Sequence, residues 1–181
     1  MYWYKSQLKI VIALTGGIML LQTACKPDIK EKSKYFDIRG FFIADTARLN
    51  KLNLQVLKTV THNGVSESKS VHIDNWGHEL DLFIGSDINK PAWKDSYTII
   101  DEGGILVYRA KYPELTVREI LIKKDNEKVK WILIFNKIKN ILYQSTEKLS
   151  YYPDSLYLIE KDQKVRLMGN NHYRIEGVIK K

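Results

Sequence analysis

The segment VKWILIF, residues 129–135, decides the fold of this 181-residue chain. Successive side chains of a β-strand point to opposite faces of its sheet, so the two sides of the segment can be compared. One side carries Val129, Trp131, Leu133 and Phe135, and the other carries Ile132 and Ile134. A strand that is apolar on both sides is typical of a sheet with both faces covered. The segment therefore predicts a strand in the middle of a doubly covered sheet.

The chain after residue 95 predicts a succession of strands joined by short polar turns. The predicted strands cover residues 96–101, 105–112, 115–124, 129–138, 141–151, 155–161, 163–168 and 172–179. Turn-forming residues separate several of them, as in Gly103-Gly104 and Gly169-Asn170-Asn171. Strands joined by short turns are mostly antiparallel neighbours, so we expect one largely antiparallel sheet.

Two helices and a hairpin are predicted before these strands. Apolar residues recur at helical spacing, with interruptions, from residue 35 to about residue 53. Asn63-Gly64 then separates two strand-like runs, 54–62 and 65–73, and this dipeptide favours a hairpin because both residues tolerate positive φ. Asp74 is a candidate N-cap for a second helix that ends before Pro91. Its apolar face is formed by Trp76, Leu80, Phe83, Ile84 and Ile88.

Helices in the first half followed by about six to eight strands predict a single α+β domain over residues 35–181. We expect a curved, mostly antiparallel sheet packed against the two helices. This layout resembles the half-barrels of periplasmic lipid carriers and of NTF2-like domains, although the resemblance rests on layout and on no motif. A closed β-barrel is the alternative.

The first 25 residues, MYWYKSQLKIVIALTGGIMLLQTAC, have the pattern of an export signal. Lys5 and Lys9 precede an apolar run of 12 residues from Ile10 to Leu21. Such a run has the length of a signal-peptide core and is too short to span a bilayer, which takes about 20 apolar residues. We therefore predict a signal peptide over residues 1–24.

The segment Gln22-Thr23-Ala24-Cys25 resembles the lipobox of bacterial lipoproteins, with Gln22 where leucine is usual. The resemblance implies cleavage before Cys25 and acylation of its sulfur, and two or three acyl chains anchor a protein firmly. Cys25 is also the only cysteine in the chain, so acylation would leave the domain with no thiol or disulfide. An ordinary secretory signal and an uncleaved N-terminal anchor remain alternatives.

Residues 25–34 predict the lipidated cysteine and a polar tether, which spans at most about 30 Å. The sequence as a whole resembles small envelope lipoproteins of Bacteroidota, a resemblance that implies location and class but no activity. In enteric-type lipoproteins aspartate after the cysteine retains the protein at the inner membrane. Lys26 stands there, which favours the outer membrane. The net charge of +8 favours anionic membrane surfaces, whereas export argues against a nucleic-acid partner.

No arrangement of residues in the sequence indicates catalysis, a metal or a cofactor. The best metal candidate is the group His72, Asp74, His78, Glu79 and Asp81. It lacks the second histidine of a His-Glu-x-x-His motif, because Leu82 occupies that position. A Gly-x-Ser-x-Gly nucleophile motif is also missing from the sequence. We therefore expect a protein that is not an enzyme, with a hydrolase as a remote alternative.

Five tyrosines are crowded into the last 40 residues beside Arg166, Arg174 and several lysines. Tyrosine and arginine are both enriched where proteins meet partners. The candidate ligand- or partner-binding residues are Tyr151, Tyr152, Tyr157, Tyr173, Arg166 and Arg174. Half-exposed tyrosines that pair across strands are the alternative explanation. The predicted function is an interaction or assembly accessory at the outer membrane. Alternatively, the domain carries a lipid or other apolar ligand in a cavity lined by Ile105, Val107, Trp131 and Phe135.

Overall fold

The computed structural model describes residues 33–166 and 169–180. The chain divides into two units at Ser33, and the second of them contains the described residues. The predicted signal peptide, Cys25 and most of the tether lie outside the described residues and stay predictions. All of the described helices and strands belong to the second unit.

Among the described residues, nine antiparallel strands form one open sheet in the order β2-β1-β9-β8-β7-β6-β5-β4-β3. The strands are β1 (Gln55–His62), β2 (Val65–His72), β3 (Tyr97–Glu102), β4 (Ile105–Ala110), β5 (Val117–Asp125), β6 (Lys128–Lys139), β7 (Tyr143–Tyr152), β8 (Leu156–Val165) and β9 (Gly169–Ile179). Strands β3 to β9 pair consecutively, and the β1–β2 hairpin joins them because β1 pairs with β9. The α+β class with a curved antiparallel sheet is confirmed, and the closed-barrel alternative is wrong.

Three helices accompany the sheet in the part of the chain that the structure describes: α1 (Ile38–Leu52), α2 (Trp76–Glu79) and α3 (Asp81–Gly85), with a 3₁₀ turn at Pro91–Trp93. The side chain of Asp37 caps α1 by accepting a hydrogen bond from the backbone N–H of Gly40 at 2.8 Å. Asn53 ends α1 in the left-handed conformation, in which its N–H reaches the carbonyl of Leu49.

The single helix predicted between Asp74 and Pro91 is wrong, because the segment forms two short helices that meet at Leu80. Asn75, and not Asp74, provides the cap by accepting a hydrogen bond from the N–H of His78 at 3.1 Å. Glycines at positions 77 and 85 weaken the helix. The predicted apolar face is nevertheless buried, since Trp76, Leu80, Phe83 and Ile88 are all fully inaccessible.

The two strands predicted at 155–161 and 163–168 are one strand, β8. The predicted break between them falls at Asp162, which Gln163 follows. In the structure both residues stay in register, opposite His172 and Asn171 of β9. Their polar side chains can remain in the strand because this part of the sheet is not covered by core residues.

The hydrophobic core lies between the helices and one face of the sheet, which we call the helix face. All three helices contact its aromatic rings: Phe42 of α1 and Phe83 of α3 pack on Tyr151 at centroid distances of 5.0 and 5.9 Å, and Trp76 of α2 packs on Tyr157 at 5.9 Å. Aliphatic side chains of the central strands complete the core, namely Ile120, Ile122, Ile132, Ile134 and Leu149.

Strand β6, which contains VKWILIF, is covered on one side and not on both. Ile132 and Ile134 are fully buried on the helix face. Trp131, Leu133 and Phe135 point to the opposite face, which we call the open face, and are only partly buried. The prediction of a doubly covered sheet is therefore wrong for the described part of the chain, since α1, α2 and α3 all lie on the helix face.

Candidate functional site

Two of the predicted partner-binding residues, Tyr151 and Tyr157, have no exposed surface. The hydroxyl of Tyr151 donates to the carboxylate of Asp45, which also pairs with Arg48 at 2.6 Å. These contacts tie the centre of the sheet to α1. Tyr151 is thus a core residue. The prediction that it belongs to an exposed binding surface is wrong, because its side chain is buried.

Tyr157 ties the sheet to α2 in the same way. Its hydroxyl donates to Oε1 of Glu79 at 2.6 Å, and the Nζ of Lys58 approaches the same oxygen at 2.7 Å. Burial, followed by the neighbouring carboxylate, raises the pKa of both Tyr151 and Tyr157. Both side chains are therefore neutral hydrogen-bond donors at physiological pH, with a structural role.

Gly177 makes room for Tyr157. The two residues face each other across β8 and β9, and a Cβ atom at position 177 would lie 2.1 Å from Cε1 of the tyrosine ring. Tyr157 is held at its far end by Glu79, so the ring has little freedom to yield. Only glycine fits opposite this ring, a constraint that the sequence does not reveal.

The other four predicted residues do not form one patch. Tyr152 is 37% exposed, and Tyr173 stacks on the ring of His62 with centroids 4.5 Å apart. Arg174 is engaged by Glu160 and Glu176. Arg166 is exposed just after β8 ends. Tyr152 and Arg174 share the open face, whereas Tyr173 and Arg166 do not lie with them, and the predicted role of all four in binding stays a prediction.

Among the described residues no hydrogen bond joins two histidines. His172 Nδ1 lies 2.7 Å from Asp162 Oδ1, and His72 Nδ1 lies 3.1 Å from the carbonyl oxygen of Asn53. Over residues 33–166 and 169–180 the structure brings together no group of three histidine, cysteine or acidic side chains that could hold a metal. In the predicted metal group, Glu79 is instead engaged by Tyr157 and Lys58.

A small polar cluster, formed by Ser86, Asn136, Ser145 and Glu147, is buried beside the apolar core. The Asn136 amide donates to the hydroxyl of Ser86 at 3.2 Å and to Oε2 of Glu147 at 3.4 Å. Lys161 compensates the Glu147 charge at 3.0 Å. Asn136 Oδ1 and Ser145 Oγ have no hydrogen-bond partner in the described chain, so the cluster is suited to a small hydrogen-bonding molecule such as water.

The open face carries apolar side chains outside the core. Strand register places Leu57, Val178, Leu156 and Tyr152 in one row across β1, β9, β8 and β7. A second row holds Leu121, Leu133, Ser150 and Leu158. We call the apolar members of these rows, together with Trp131, the apolar strip. Leu57, Val178 and Tyr152 are 36–37% exposed.

The part of the open face next to the apolar strip is polar and charge-balanced. Glu160 lies between Arg174 at 2.7 Å and Lys148 at 3.9 Å. Glu160 and Lys148, with Phe135 and His172, border a shallow depression of about 420 Å³. This combination of an apolar centre and paired charges beside it is typical of protein-binding surfaces rather than of ion-binding sites.

Within the described residues no helix is both long enough and apolar enough to cross a bilayer. Comparisons of the whole chain with protein families, with curated proteins and with solved structures found no match.

Proposed function

We propose that this protein is a non-enzymatic envelope lipoprotein whose domain binds a protein partner through the open face of its sheet. The apolar strip carries the proposal, because its side chains stay partly exposed on a face to which none of α1, α2 and α3 contributes. Exposed apolar surface bordered by polar groups marks interaction sites on proteins. The paired charges of Arg174 and Glu160 form one border of this surface.

The alternative, a carrier of a lipid or other apolar ligand, has less support. It requires Ile105, Val107, Trp131 and Phe135 to line a cavity inside the curved sheet. Register places all four on the open face, with Ile105 opposite Lys123 and Val107 opposite Leu121. The opposite side of the sheet, beneath the helices, is occupied by packed rings such as Phe42, Phe83 and Tyr151.

Site-specific photo-cross-linking tests the proposed binding surface. A photoreactive residue at Val178 on the open face is compared with one at Leu82 of α3, and both native side chains are 37% exposed. In the native envelope we expect Val178 to yield an adduct of one defined mass and Leu82 to yield none. Equal adducts from both positions, or none from Val178, contradict the proposal.

The anchor is tested separately, through Cys25. We propose that the protein is held at the outer membrane by acyl chains on this residue. Replacement Cys25→Ala is expected to release the protein from the membrane fraction and to abolish fatty-acid labelling. The control Gln22→Leu, which restores the usual lipobox residue, is expected to retain both. A labelled Cys25→Ala protein would exclude this anchor.

A further inference from the structure

One end of the sheet brings together four loops that are distant in sequence. Because neighbouring strands are antiparallel, the end of β1 lies at the same end as the start of β7 and the ends of β4, β6 and β8. Backbone hydrogen bonds connect three of these loops: the N–H of Arg166 donates to the carbonyl of Leu142 at 3.1 Å, and that of Lys137 donates to the carbonyl of Thr116 at 2.8 Å. We call residues 63–65, 111–118, 137–142 and 164–166 the loop end.

The four most exposed large apolar side chains of the described residues all lie at the loop end. They are Ile141, Val65, Leu142 and Tyr112, with exposed fractions of 85%, 77%, 70% and 50%. Ile141 and Leu142 occupy an ordered turn, in which Asn140 Oδ1 accepts hydrogen bonds from the N–H groups of Leu142 and Tyr143 at 2.9 and 2.8 Å. The turn itself therefore holds these apolar side chains out in solvent.

The loop end is also strongly basic. It contains six cations, Lys111, Arg118, Lys137, Lys139, Lys164 and Arg166, and one acid, Glu114. None of Lys137, Lys139 and Lys164 forms an ion pair with a described acid, and Lys137 and Lys139 border a depression of about 490 Å³ together with Arg118. At the opposite end of the sheet, by contrast, Lys130 pairs with Asp125 and Arg48 pairs with Asp154.

We propose that the loop end contacts an anionic lipid bilayer, with Ile141 and Leu142 among the headgroups and the basic side chains against lipid phosphates. Protruding apolar side chains bordered by lysine and arginine combine apolar burial with attraction to anionic lipids. Lys34, the last residue of the predicted tether, supports this orientation. It pairs with Asp95, which lies two residues before the start of β3, and β3 starts at the same end of the sheet as the loop end. The contact goes beyond the proposed function and does not depend on acylation of Cys25.

Environment-sensitive fluorescence locates the contact. In full-length protein carrying Cys25→Ser, a single probe is attached through Ile141→Cys or, as the control, through Glu127→Cys at the opposite end. With vesicles of phosphatidylethanolamine and phosphatidylglycerol, we expect the emission at position 141 to shift to the blue and rise at least about twofold, and that at 127 to stay constant. Equal responses of the two probes, or no response at 141, overturn the proposal.

Charge reversal at the two ends of β6 supplies a matched pair of variants. One double variant, Lys137→Glu with Lys139→Glu, reverses two charges at the loop end. The control, Lys128→Glu with Lys130→Glu, makes the same change of net charge at the other end. All four lysines are exposed. Only the first pair is expected to abolish the response of the probe at 141, with the fold of each variant checked by circular dichroism. High salt should weaken the response as well, because it screens exposed charges. Equal loss in both pairs overturns the assignment to the loop end.

Discussion

The two faces of strand β6 differ in cover although both are apolar. Ile132 and Ile134 are completely buried on the helix face, whereas Trp131 and Leu133 keep part of their surface accessible on the open face. The difference arises from α1, α2 and α3, which all pack on the first face. Apolar content therefore shows what a face can bury, and elements elsewhere in the chain decide what it does bury. The apolar strip is surface that the core does not require.

The largest expected difference between the faces comes from a charge on adjacent residues of β6. Ile132→Asp places an unpaired carboxylate in the core and is expected to lower the free energy of unfolding by about 4 kcal/mol or more. Leu133→Asp can reach solvent on the open face, so we expect a loss of about 1–2 kcal/mol. Urea denaturation measures both, and equal losses would show that the open face is covered as well.

A smaller contrast is expected between Gly177 and its neighbour Val178. Gly177→Ala forces the new Cβ against the ring of Tyr157, and overpacking of this kind is expected to cost about 3 kcal/mol. Val178→Ala on the open face removes partly exposed atoms and is expected to cost about 0.5–1 kcal/mol. Thermal unfolding of the two variants, compared with the parent protein, tests this, and an unchanged melting temperature for Gly177→Ala would contradict the packing of Tyr157.

A smaller difference in stability is expected between removing the hydroxyl group of Tyr157 and removing that of Tyr152. Tyr157→Phe removes the hydrogen bond to Glu79 and is expected to lower stability by about 2 kcal/mol, because a partly buried carboxylate loses a donor. Tyr152→Phe, one strand away on the open face, serves as the control and is expected to change stability by less than about 0.5 kcal/mol. If chemical denaturation gives equal midpoints for the two variants, the tie between β8 and α2 contributes no stability.

The smallest effect, absent at neutral pH, is expected from mild alkali. Burial raises the pKa of Tyr97 to about 12 and raises that of Tyr108, Tyr151 and Tyr157 in the same direction. Since the unfolded value is near 10, the folded state retains these protons longer. The stabilisation that these raised pKa values represent is fully present below pH 10 and is lost as the pH rises towards 12 and above. Denaturation midpoints measured from pH 8 to 11 should fall only above pH 10, less steeply in Tyr157→Phe, and a flat profile would contradict this burial.

Much of the fold could be predicted because local patterns and tertiary packing agree. The hairpin at Asn63-Gly64 forms as expected, with both residues at positive φ. The helix predicted after Asp74 shows where they disagree. Its apolar face is buried, yet the helix breaks at Leu80, so that Trp76 packs on the ring of Tyr157 and Phe83 on that of Tyr151. Periodicity identifies the side of a segment that is buried but not the path of its backbone.

The candidate sites were predicted less well than the fold. Tyr151 and Tyr157 were assigned to a surface because tyrosine is common at interfaces, but Asp45 and Glu79 satisfy their hydroxyl groups inside the core. No local signal in the sequence connects these partners, which are 106 and 78 residues apart. The loop end escaped prediction for the same reason, since only strand order places Val65, Tyr112 and Ile141 at the same end of the sheet.

The sequence by itself determined the α+β class, the antiparallel pairing of successive strands and the apolar character of β6. These follow from short-range physics: turn residues, alternation and helical spacing act within a few residues of the chain. Only the tertiary structure decided which face of β6 is covered, which tyrosines are buried and which loops share one end of the sheet. Those features depend on contacts between residues far apart in sequence, such as β1 with β9. Local patterns leave such contacts open, and packing chooses among them because a single arrangement must bury all the apolar faces together.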